Sequence, residues 1–241
     1  LHNLVSIYKV IFVFAIIIYS LSRKFHLMIK NTFLDHKGGW YIYRVHTQKT
    51  KELCDERLHA FLFAMLASCP HDYFQEGPRS SSLKFNLSGV DITYVKGHEV
   101  CALAEEGLKV NEERFKDNHS KVQVFMLEND DKTIAMEVPI WLEPEELDNY
   151  QELFRSPFPL SGHIDLVRVE DGKIWIWDYK PGARKERFAS TQVSFYAYML
   201  SRRSGIPLDH FRCGYFDSED AYVFIPVKEI KRSDLMLERL P

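Results

Sequence analysis

No CxxC pair occurs anywhere in this 241-residue chain, and its four cysteines, Cys54, Cys69, Cys101 and Cys213, are widely spaced. That scatter gives no signal for a zinc finger or an iron–sulfur cluster. The four read as free, reduced thiols, so the expected compartment is cytoplasmic. An excess of basic charge is lacking too: 31 Lys and Arg against 34 Asp and Glu leave a net charge of −3. This excludes a strongly basic nucleic-acid coat protein and confines any polyanion binding to a local patch. Internal repeats, low-complexity tracts and long linkers are absent, so residues 28–241 read as one domain of catalytic size.

Long apolar runs are scarce, with one exception. Val10 to Tyr19 is uninterrupted, and residues 4–22 are mostly apolar but contain Lys9, which is borderline for a membrane-spanning helix. No Ala-x-Ala-like cleavage site follows. Residues 1–27 are therefore open to three readings: a membrane anchor, a signal, or an upstream extension or buried helix. What the chain has in quantity is aromatics, with 17 Phe, 12 Tyr and 4 Trp, which suit a mixed α/β interior or a surface on which bases stack.

Along the chain, Trp40 to His46 reads as a strand and Lys49 to Ala67 as one helix. Pro70, Pro78 and a serine run mark Ser68 to Ser88 as a loop. Gly97 to Lys116 is a second helical candidate with Gly107 inside it. Val122 to Leu127 and Thr133 to Leu142 alternate as strands, and Pro144 to Pro159 breaks the pattern. Phe188 to Arg203 is an amphipathic helix stopped at Gly205, with strands at His210 to Phe216 and Ala221 to Val227 and a short helix from Lys228. The predicted class is α/β, a central mixed sheet flanked by helices.

The stretch GHIDLVRVEDGKIWIWDYKPG, Gly162 to Gly182, carries the chemistry. Asp171-Gly172 is a strong two-residue hairpin signal. With that turn at the centre, Glu170 faces Lys173, Val167 faces Ile176 and Asp165 faces Asp178. Their Cβ atoms should lie about 4.5–5.5 Å apart, with Lys180 on the same face. Like charges so placed either raise one pKa or share a cation. Two carboxylates and an ammonium suit Mg2+ and a phosphate. The competing reading is a pair of solvated strand ends with a counter-charge, but the flanks are too apolar for an exposed ribbon.

Gly162-x-x-Asp165, Asp178-x-Lys180 and Gln192-x-x-x-Tyr196 on the following helix together resemble the PD-(D/E)XK nuclease superfamily, in particular its RecB-like branch, which includes the CRISPR-adaptation nucleases. The resemblance covers about Glu137 to Leu200, with Pro181-Gly182 in place of the commoner Thr-Gly. It implies a restriction-endonuclease-like core and a metal-dependent nuclease acting on single- or double-stranded DNA. Asp165, Asp178 and the Tyr179 carbonyl would hold Mg2+ or Mn2+, and Lys180 would position or deprotonate the attacking water. Gln192 and Tyr196 share one helix face and would reach the lysine, phosphate or nucleotide. The family also places an upstream His or Glu on the metal; His98 is the first choice, with Glu105, Glu106 and His59 as alternatives. Arg184, Lys185, Arg187, Arg202 and Arg203 make this half locally basic, which fits an entering phosphate backbone and equally a solvated loop. A helicase or another repair or defence protein is the implied partner. The competing functions are an inactive nucleic-acid-binding module of the same fold and a membrane-associated protein with a structural hairpin.

Overall fold

The computed structural model describes residues 28–227 and the strand Leu235–Met236. Residues 1–27 and the rest of the C-terminal segment, with the expectations placed on them, lie outside. The strands are β1 (Ile29–His36), β2 (Gly39–His46), β3 (Asn86–Leu87), β4 (Thr93–Tyr94), β5 (Thr133–Leu142), β6 (Leu160–Glu170), β7 (Lys173–Tyr179), β8 (Phe211–Phe216), β9 (Ala221–Phe224) and β10 (Leu235–Met236). The helices are α1 (Thr47–Leu53), α2 (Glu56–Ala67), α3 (Glu99–Val110), α4 (Asn118–Asn129), α5 (Tyr150–Phe154) and α6 (Ala189–Ser204).

Eight strands form one mixed sheet in the order β1-β2-β5-β6-β7-β8-β9-β4, and β10 pairs with β3 apart from it. Only β7 and β8 run parallel within it, and α6 makes the crossover between them, as a parallel pair requires. One face packs on α2 and α6 through Leu58, Leu62, Val193, Phe195 and Leu200. The other packs on α3 and α4 through Val100, Ala104, Val122 and Met126. With both faces covered, β6 is buried along almost its whole length. This is the α/β class expected, a central mixed sheet flanked by helices. Among the described residues no helix is long and apolar enough to cross a membrane.

Several expectations need correcting. Val122 to Leu127 is helix, not strand. Asp117 caps α4 by accepting from the Ser120 amide at 2.7 Å, and these six residues are all buried. A helix clamped between a sheet and a second helix loses the one-sided period that separates helix from strand. Lys49 to Ala67 is two helices because the Asp55 carboxylate accepts from the Leu58 amide at 2.9 Å and starts a new one. As expected, α3 runs through Gly107. A Cβ there would sit 2.9 Å from the Phe125 Cβ, so glycine is what lets α3 approach α4. Leu235–Met236, in the segment expected to be helical, pairs as a strand with Asn86–Leu87.

Candidate active site

The hairpin forms in the expected register, Glu170 against Lys173 through Leu166 against Trp177. Asp171 and Gly172 adopt φ of 49° and 68°, the left-handed pair that a tight two-residue turn requires. Beyond Leu166 the ladder ends. Asp165 then turns its Oδ2 onto the Tyr179 amide, 2.9 Å away.

Asp178 sits one position beyond Trp177 on β7 and is almost fully buried. Its Oδ2 lies 2.6 Å from Lys180 Nζ, yet no well-directed hydrogen bond reaches that oxygen. Its Oδ1 accepts from Gln192 Nε2 at 3.2 Å, and the same nitrogen lies 2.8 Å from the Tyr196 hydroxyl. The i, i+4 pair on α6 thus reaches the carboxylate end of β7. Burial pushes the Asp178 pKa up to about 6; Lys180 pulls against this and Asp165 adds to it. Burial draws the Lys180 pKa down, but Asp178 and Asp165 outweigh it and hold the ammonium above its ordinary value.

The backbone around Lys180 is fixed from β8. Its amide donates to the Phe216 carbonyl at 2.8 Å. Asp217 Oδ2 accepts from the Gly182 and Ala183 amides at 3.0 and 2.8 Å, and its Oδ1 accepts from Glu219 and Asp220 at 2.8 Å each. One carboxylate therefore ties the Pro181-Gly182 turn to the β8–β9 loop.

Two further groups belong here that the sequence reading did not assign. Met136 and Val138 pair with Leu166 and Ile164, so Glu137 stands opposite Asp165, and acids occupy three adjacent strands. Glu137 has a φ of 54°, a strained value for a side chain that large, and its Oε1 accepts from Gln123 at 2.8 Å. Burial pushes its pKa up to about 8; Asp165 adds to this, the Gln123 bond opposes it, and Asp178 adds more. The signal was present as the lone charge in the apolar strand TIAMEVPIWL. The second group is His119, in the first turn of α4, with Nε2 3.9 Å from Asp165 Oδ2 and its ring edge-on to Tyr179. Reading α4 as a strand hid it.

His98 is not brought to this cluster. It caps α3, its Nδ1 accepting from the Val100 amide at 3.2 Å, and its ring packs on Trp177. Burial lowers its pKa, and the charges that act on it are Arg168, Glu99, Glu170 and Lys132. Glu105 and Glu106 are exposed on α3, and His59 stacks on Phe63. Arg184, Lys185 and Arg187 are exposed just past Lys180. Arg202 and Arg203 lie about 15 Å along α6 from Gln192 and are engaged elsewhere. Arg203 pairs with Glu143 and Glu146 and lies over Trp141; Arg202 bonds Tyr198.

Gly162 opens the motif for a steric reason. A Cβ there would lie 2.6 Å from Tyr196 Cε1. Gly162→Ala therefore costs about 1–3 kcal/mol in urea unfolding, through displacement of the Tyr196 ring.

The raised carboxyls predict a pH dependence. Folded Glu137 and Asp178 hold protons more tightly than their ordinary values of 4.5 and 3.8. Their stabilising effect is full below those values and is lost as pH rises through about 6 and then about 8. The metal-free melting temperature should fall across this window, and Glu137→Gln should flatten its upper part relative to the parent chain.

The donor set fits a hard divalent ion. It offers two buried carboxyls, Glu137 and Asp178, whose pKa values burial raises and Asp165 raises further, one buried oxygen without a directed hydrogen bond, and an imidazole alongside. No curated protein and no solved structure matches the chain. The family model of the PD-(D/E)XK nuclease superfamily does match, over residues 44–236, and this span takes in every carboxylate, the lysine and the α6 pair described above. The chain belongs to the PD-(D/E)XK nuclease superfamily.

Proposed function

We propose that the protein is a metal-dependent deoxyribonuclease, a RecB-like exonuclease whose phosphodiester hydrolysis takes place at Asp165, Asp178 and Lys180. The observation that carries this reading is the convergence of Asp178, Lys180, Gln192 and Tyr196 in one bonded chain next to Asp165. Asp165 and Asp178 would hold Mg2+ or Mn2+, with the Tyr179 carbonyl as a further oxygen donor. His119 and Glu137 would complete the set, in the role that sequence reasoning gave to His98. What a divalent ion contributes when held there is Lewis acidity, which neutralises phosphate charge and lowers the pKa of water.

The remaining steps belong to the chain. Lys180 enters as an ammonium, so it orients the attacking water or a phosphate oxygen and offsets negative charge as the transition state develops. Gln192 holds the Asp178 carboxylate through Oδ1, so a cation would enter at Oδ2, in competition with the Lys180 ammonium 2.6 Å away. The Asp217 clamp keeps the Lys180 backbone from shifting, and placement at this precision is worth orders of magnitude in rate. Arg184, Lys185 and Arg187, exposed just past Lys180, are the cations that would contact the phosphate backbone.

The test is cleavage of end-labelled single- and double-stranded DNA with Mg2+ or Mn2+. A ladder shortening from one end is expected; internal fragments would replace exonuclease with endonuclease, and an uncut substrate would sink the nuclease reading. Addition of the ion should also raise the melting temperature, by more at pH 8 than at pH 5, since binding requires the carboxyls ionised.

A further inference from the structure

A second group of metal-type donors lies at the end of β1 and contains no carboxylate. One donor atom from each of His36, Cys69 and His71 lies within 4.8 Å of the other two. His36 Nε2 lies 3.0 Å from His71 Nδ1 and 3.9 Å from Cys69 Sγ. In a tetrahedral zinc site with Zn–N of about 2.0–2.1 Å and Zn–S of about 2.3 Å, neighbouring donors stand about 3.3–3.6 Å apart. Small shifts would put all three on one ion.

The surroundings hold the first ligand in place. The His36 ring stacks on Phe74 at 4.1 Å, and its Nδ1 lies 2.9 Å from His163 Nε2. His163 in turn stacks on Tyr41 at 3.8 Å. A ligand histidine whose second nitrogen is fixed by an outer partner is the arrangement metal sites use to set ring orientation. Cys69 and His71 flank Pro70 in the loop that leaves α2, and His71 is exposed, so an ion and one water can enter from solvent.

We propose that His36, Cys69 and His71 form a second metal site, taking a zinc-class divalent ion with water in the fourth position. Imidazole and thiolate select such an ion over Mg2+, Ca2+ or Mn2+, so this site and the carboxylates at Asp165 and Asp178 take different metals. Occupied, it ties β1 to the loop after α2. Through His163 it also braces β6 two residues before Asp165.

The protons balance. Arg79 has only N–H groups, so its 3.1 Å contact makes His163 Nδ1 an acceptor. His163 Nε2–H then donates to His36 Nδ1, and His36 Nε2–H to His71 Nδ1. On binding, the His36 proton moves to Nδ1 and the His163 proton to its own Nδ1. The Arg79 contact with His163 opens, while Arg79 keeps the Lys37 carbonyl and the Tyr41 hydroxyl at 2.8 and 3.0 Å. The one proton released comes from Cys69.

The probe is Co2+, titrated into the full chain after chelation, with Mg2+ in excess. One equivalent should give the visible bands of tetrahedral cobalt and a thiolate-to-cobalt charge-transfer band, both removed by Zn2+. Cys69→Ser should abolish the charge-transfer band, and Cys69→Ser and His71→Ala should each weaken binding by more than about tenfold. Asp178→Asn should leave the spectrum unchanged. Absence of the charge-transfer band in the parent chain overturns the proposal, as does its survival in Cys69→Ser, undiminished affinity in His71→Ala, or its loss in Asp178→Asn.

Discussion

Lys180→Ala should lower the rate of the proposed DNA cleavage, read in single turnover, by about 10²–10³-fold, the cost of removing one group aimed at developing charge. Asp178→Asn should lower it at least as far, but by a different route, and metal affinity separates the two. Lys180 lies 2.6 Å from Asp178 Oδ2, so its ammonium competes with a cation for that oxygen. Lys180→Ala should therefore bind Mg2+ as well as or better than the parent chain, read as the metal-dependent rise in melting temperature. Asp178→Asn removes a charged donor and should bind more weakly. If both variants cut as fast as the parent, the assignment of this centre fails. If Lys180→Ala fails to cut because it no longer holds the metal, the lysine acts on the site's charge balance rather than on water or phosphate.

Arg168→Ala destabilises the fold by about 3–5 kcal/mol, the range for breaking a buried pair from one side. Arg168 is fully buried on β6. Its Nε donates to Asp130 Oδ2 at 2.8 Å, and its Nη2 donates to Glu99 Oε1 at 2.5 Å and Asp130 Oδ1 at 3.3 Å. Lys132 joins Glu99 to Glu170 at 2.8 and 2.5 Å. Removing the guanidinium strands the buried Asp130 carboxylate, and Asp130→Asn in the same chain should recover part of the loss. Urea unfolding reads the effect. Cleavage per folded molecule should stay near that of the parent, because this network lies across α3, α4 and β6, away from Lys180. A loss below about 1 kcal/mol would mean that solvent reaches Asp130 readily.

His98 belongs to the surroundings of that network, a placement that sequence spacing alone does not indicate. It stands at a helix start, at a reasonable distance before β5, as a metal ligand would, and nothing local to Gly97-His98-Glu99 distinguishes a cap from a ligand. The distinction comes from α3 lying over Trp177 and Arg168, whereas α4 delivers its first turn, with His119, to Asp165 and Tyr179. Which of two neighbouring helices points its N-terminus at the site is a packing outcome. Glu137 was obscured for a related reason. Its place opposite Asp165 depends on how β5 pairs with β6, across a separation in sequence that no turn signal spans.

The hairpin was legible because its information is local. Asp171-Gly172 sets the turn, and the period of two along the strands then carries Asp165 and Asp178 to the same end, with Lys180 two residues further on. Likewise Gln192 and Tyr196 share a face because a helix repeats every 3.6 residues. Composition and the order of elements were enough for an α/β class with a mixed sheet. What required the folded chain was every relation between distant segments: α4 as a helix buried between α3 and the sheet, Glu137 and His119 beside Asp165, Arg202 and Arg203 turned away, and His36 meeting Cys69 and His71. Turns and periodic elements are written in near-neighbour chemistry, whereas a site assembled from five elements exists only once the hydrophobic faces of the sheet have chosen what packs on them.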